Sequence, residues 1–126
     1  AIVFAGKYEN EMTERMKVAE EKFQPALNSG VTADMNDATQ KLGKLWETEM
    51  RKIYDLLLSE LPEKEKVELQ KEQEEWIKKI KDEITKDTKE SEGGTIEILN
   101  TSGTTLGNTE KRALELAKRY DQRHKK

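Results

Sequence analysis

The chain contains no cysteine, so neither disulfides nor a thiolate metal site can hold it together. Its single histidine, His124, stands in the basic stretch "RYDQRHKK", which argues against a nucleophile activated by imidazole. No spacing of His, Asp and Glu suits a metal, and no run of 18 apolar residues could cross a bilayer. Charge of one sign is missing too: 23 basic residues face 26 acidic ones, for a net charge of −3 and a pI near 5.4. That balance speaks against nucleic acid as a partner. Seven Lys or Arg against three acids over 107–126 read as a solvated helix end that suits the dipole. Apolar residues are scarce, at 33% with mean hydropathy −0.98. Disorder combines such poverty with high net charge, and here the net charge is low and the apolar residues recur with a helical period.

At 126 residues the chain is one domain by length. Residues 1–7 open on "AIVFAGK", an N-terminal arm, a short strand or the remnant of a secretion signal, in which Val3 and Ala5 would be the small residues before cleavage. Residues 8–126 form the helical domain. The first helix is expected from Tyr8 to Leu27, with Met12, Met16, Ala19, Phe23 and Ala26 on one stripe. Pro25 should bend it or end it early, and Gly30 should supply the left-handed stop. A second helix, capped by Asp34, should reach Glu60, with Ala38, Leu42, Leu45, Trp46, Ile53, Leu56 and Leu57 on one broad face.

Pro62 suits the start of a third helix, running to about Glu90. Its apolar line is Leu69, Gln73, Trp76, Ile77, Ile80 and Ile84. The short link makes the second and third helices an antiparallel hairpin, with Trp76 enclosed between them. Gly93 and Gly94 should stop the third helix. Residues 92–108 read as an irregular Gly- and Thr-rich loop, with an alternating segment at Thr95–Leu99. A last helix should then start at Asn108 or Thr109 and run to Tyr120, burying Leu106, Ala113, Leu116 and Ala117. The fold class is all-α, four helices built on the hairpin.

Chemistry-bearing motifs are few. "NTSGTTLGNT" between an alternating segment and a helix looks like a phosphate-binding turn, but no Lys follows Gly107 and no βαβ unit precedes it. Adjacent carboxylates such as Glu74–Glu75 are expected on an acid-rich helical surface without a catalytic role. We therefore expect no catalytic residues, no cofactor and no metal.

Several segments, in order, carry a family likeness: "NDATQ" at 36–40, Tyr54, "LQKEQEEWIKKIKDE" at 69–83, "EGGT" at 92–95 and "TEKRALEL" at 109–116. This order resembles the LprI-like lysozyme inhibitor family of small envelope proteins, over about residues 33–120. The resemblance implies a secreted or surface-anchored protein, outside the cytoplasm, that binds lysozyme without being an enzyme. It singles out Thr39, Gln40, Tyr54, Gln73, Trp76, Gly93, Gly94, Thr109 and Arg112. Many members carry four cysteines near the positions of Met35, Trp46, Thr85 and residues 102–105, where this chain has none. Structural roles are expected for the matched residues. Thr39 and Gln40 would hydrogen-bond across the first helical turns, Gln73 would bond a backbone group or Tyr54, and Arg112 would pair with Glu92 or Asp82. The acids of helices two and three would face the protein partner. The competing expectation is a structural module that homodimerises through the stripe of Met12, Met16, Ala19 and Phe23.

Overall fold

The computed structural model describes residues 6–91 and 94–124, with side chains for 6–82 and 106–124. Four helices account for them: α1 (Lys7–Leu27), α2 (Thr32–Glu60), α3 (Glu63–Ser91) and α4 (Gly94–Arg123). Residues 1–5 of the N-terminal arm lie outside the described residues. Among the described residues no helix is long and apolar enough to cross a membrane.

Met12 and Met16 bury themselves in the core, with Tyr8, Ala19, Phe23 and Leu27 packed around them. The stripe that could have made a dimer is thus covered within the molecule. Pro25 lies inside α1, which continues to Leu27. Only its last turn follows the proline, so the missing N–H falls where the helix is about to end. The turn that follows needs Gly30, which adopts φ +75°. The cap of α2 falls three residues earlier than the expected Asp34, at Val31, with no side-chain cap. Asp34 sits in the first turn, where its charge still favours the dipole. The buried line of α2 is Ala38, Leu42, Trp46, Met50, Ile53 and Leu57. Leu45 and Leu56 belong to its exposed flank, because they lie about a quarter turn off that line.

α3 follows the two-residue link Leu61–Pro62, and the Lys66 amide donates to the Pro62 carbonyl. Gln73 lies against Met50, and Leu69 shares a groove with Leu57 and Leu61. Leu69, Gln73 and Ile80 are buried, whereas Ile77 is 40% exposed. Trp76 is not enclosed: it is half-buried against the core, and the buried indole of the domain is Trp46, 3% exposed. Ile84 lies outside the described side chains.

The largest departure from the sequence reading is α4. It starts at Gly94 and runs unbroken through 94–108, where a loop and an alternating segment were expected. Leu99, Leu106, Ala113 and Tyr120 recur every seven residues, a helical register that the intervening Thr and Gly obscure. Tertiary packing of the later turns lets these poor helix formers follow. Of the glycine pair, Gly94 opens α4, and Gly93 lies outside the described residues.

α4 packs against all three other helices, and most extensively against α2. Among the described residues, the chain-adjacent α2 and α3 are not the closest pair. Ala113, Leu116 and Ala117 are completely buried. Two alanines one turn apart let the α2 and α4 backbones approach closely. The core is therefore centred on the last helix rather than on the expected hairpin.

Candidate functional site

On α3 the apolar line is interrupted by Gln73, and on α4 Arg112 stands between buried Thr109 and Ala113. These two interruptions meet. The Arg112 Nε donates to the Gln73 Oε1 at 2.9 Å, and the Gln73 Nε2 donates to the Met50 sulfur at 3.7 Å. The guanidinium's Nη2 donates to the Glu72 Oε2 at 2.9 Å, and its Nη1 lies 3.5 Å from the Glu115 Oε1. One helical repeat along, Arg119 donates to both Glu72 oxygens, at 2.5 and 3.1 Å, and to Glu115 at 2.7 Å. Two cations and two carboxylates close a clasp between α3 and α4 with no net charge.

Arg112 is only 4% exposed, and a buried guanidinium is tolerated because each edge finds an acceptor. Glu72 is held below the usual carboxylate range, first by the Arg119 hydrogen bond and then by that of Arg112, against its own burial. Tyr54 faces the same region from α2. Burial pushes its hydroxyl up, Glu74 and Asp55 add to this, and Arg112 opposes it.

The structure thus brings Gln73, Arg112 and Tyr54 to one place. Trp76, four residues beyond Glu72, shares the flank of α3 that Glu72 turns to α4. Thr109 is buried in the interior of α4 rather than capping it. Among the described residues the Gln73 side chain bonds neither backbone nor Tyr54, and Arg112 pairs with Glu72, not with Asp82. Asp82 is more than two turns further along α3, and Glu92 lies outside the described residues. Thr39 stays apart, donating to the Met35 carbonyl one turn back at 2.8 Å, and Gln40 is exposed. Glu72, Glu115 and Arg119 were missed by sequence reasoning, although Arg112, Glu115 and Arg119 share one face by their spacing of three and four.

Beside the clasp, toward the α2–α3 link, lies a groove of about 430 Å³. Leu57, Leu61 and Leu69 line it, with Glu65, Glu68 and Glu72 along one edge and Arg119, Gln122 and Arg123 along the other. Glu65 and Glu68 are exposed and form no ion pair among the described residues. Across the molecule, Arg15 clamps buried Glu49 through two hydrogen bonds of 2.9 and 2.7 Å. The Asp121 carboxylate accepts the Tyr8 and Glu9 amides, both at 2.9 Å, so a side chain from α4 caps α1. A Cβ on Gly6 would collide with that carboxylate. His124 is exposed, in line with the solvated helix end expected there, and it stacks on Tyr120 and meets the Glu60 carboxylate at 2.6 Å. Among the described residues no three His, Cys, Asp or Glu converge as metal ligands.

A family model described as lysozyme inhibitor LprI matches residues 24–116. The match takes in Glu72, Gln73, Arg112 and Glu115 but stops short of Arg119 and Asp121. No curated protein and no solved structure matches the chain.

Proposed function

This chain belongs to the lysozyme inhibitor LprI family, and from that premise we propose that it is an extracytoplasmic protein that binds and blocks a lysozyme-type glycan hydrolase, with no catalysis of its own. The family match carries the reading. The structure supports it by a division of labour. Gln73 and Arg112 are turned inward and bond each other, so partner recognition falls to the outward surface. That surface is rich in carboxylates: Glu65, Glu68, Glu74 and Glu75 are all exposed on α3. A basic hydrolase would be drawn to such helices, and its capture would weaken with salt. The Met12/Met16 stripe is buried within the molecule, so nothing favours the self-associating alternative over this reading. The test is the clearing of a peptidoglycan suspension by lysozyme while this protein is titrated in. A slowed rate and measurable binding at low salt are expected. An unchanged rate with no binding at low salt rejects the reading.

A further inference from the structure

We propose that the groove at the α2–α3 link is a receptor for a single basic side chain, a lysine or arginine presented by a protein partner. This deepens the reading above and rests on it for the partner's identity. Leu57, Leu61 and Leu69 give the groove an apolar floor that suits the methylene stem of such a side chain, whose charged head stays at the rim. Glu65, Glu68 and Glu72 follow each other at spacings of three and four, which places their carboxylates along one edge.

The three carboxylates differ in what they already hold. Glu72 is occupied by Arg112 and Arg119. Glu65 and Glu68 border the same floor and pair with no cation among the described residues. The cations on the opposite edge do not fill the role. Arg119 is committed to Glu72 and Glu115, and Arg123 donates to the Glu60 carbonyl at 3.3 Å. The groove therefore holds an unanswered pair of negative charges above an apolar floor. A volume of about 430 Å³ lies within the range of sites that enclose small groups, ample for one long side chain. Arginine would gain most, because its planar fork can engage two carboxylate oxygens at once.

The experiment has two arms. In the first, binding of a purified basic lysozyme is measured at low salt for the wild type and two variants. One carries Glu65→Lys with Glu68→Lys. The other carries Glu14→Lys with Glu21→Lys, the same charge change on exposed α1 positions. The groove variant is expected to bind about tenfold or more weakly, and the α1 variant to lose less than about threefold. Equal losses in both, or none in either, overturn the groove while leaving the inhibitor reading standing. In the second arm, a tetra-arginine peptide is titrated into the isotope-labelled protein. Amide shifts should concentrate at Leu61, Glu65, Glu68 and Leu69. Shifts spread evenly over the acidic helices overturn the proposal. Peptide shifts at the groove without any lysozyme binding uphold the receptor and reject lysozyme as the partner. A concentration-dependent dimer that the groove variant abolishes would place a second copy there and also overturn it.

Discussion

The two seams on either side of α4 are built by different physics. Against α2, the last helix presents Ala113, Leu116 and Ala117, all fully buried, to a line that includes Ile53 and Leu57. Against α3 it presents Arg112 and Arg119, which grip Glu72 and Gln73. The first seam gains its strength from apolar area removed from water and from close fit. The second adds little net attraction, since desolvating charges offsets much of what their pairing returns. What the clasp supplies is position: a shift of α3 along α4 by one turn would put Leu69 or Ile77 where Gln73 accepts from the buried guanidinium. The dry seam decides that the helices associate, and the polar seam decides at what level.

Substitutions should separate the two. Leu116→Ala, in the dry seam, is expected to cost about 3–4 kcal/mol, measured by urea unfolding. A cost under about 1 kcal/mol would mean that α2–α4 packing is not the main source of stability. Arg112→Ala should cost less, about 2–3 kcal/mol, because Gln73 and Glu72 lose a donor while Glu72 keeps Arg119. Adding Gln73→Leu should then recover part of that loss. Additive effects of the two changes would show that the pair is not coupled.

A smaller effect appears with pH. Because its folded pKa is lowered, Glu72 contributes stability that is complete above the ordinary carboxylate range and disappears as pH falls through the lowered folded value. Glu72→Gln should flatten the acid limb of stability against pH, and an unaltered limb would contradict the clasp. Smallest is Glu110, whose carboxyl is pushed up by burial and then by Glu20. Its ionisation opposes folding, so this contribution weakens as pH rises from the ordinary carboxylate value through the raised folded one. Glu110→Gln should raise the melting temperature slightly at pH 7 and leave it unchanged in acid. A lower melting temperature at pH 7 would contradict that.

Much of the dry seam could be read from the sequence, because apolar residues spaced three and four apart state a helical face whatever packs on it. Trp46, Ile53, Leu57, Ala113 and Leu116 were all legible in that way, as were Met12 and Met16 on α1. The first half of α4 was not, since Thr and Gly carry little intrinsic helix preference and the seven-residue recurrence from Leu99 to Tyr120 is a weaker signal than the local composition. The polar seam was half legible. That Arg112 ties α4 to an acid on α3 follows from a cation on an apolar face. Which acid does not follow, because α3 carries carboxylates at several levels and the spacing within α4 does not say which of them stands opposite Arg112. Trp76 misled for a related reason: a large aromatic amid charged residues signals contact with the core, and Trp76 makes that contact at the core's edge, while full burial falls to Trp46.

The Asp121 carboxylate, which accepts two amides more than 100 residues earlier in the chain, makes the first and last helices answerable to one another. As the polypeptide is synthesised, α1 has no stopper for its opening turn until the closing turn of α4 has emerged. Damage at either end is then reported at the other. Removing the acid at 121 should loosen amide protection around Tyr8 before any part of the α2–α4 seam gives way.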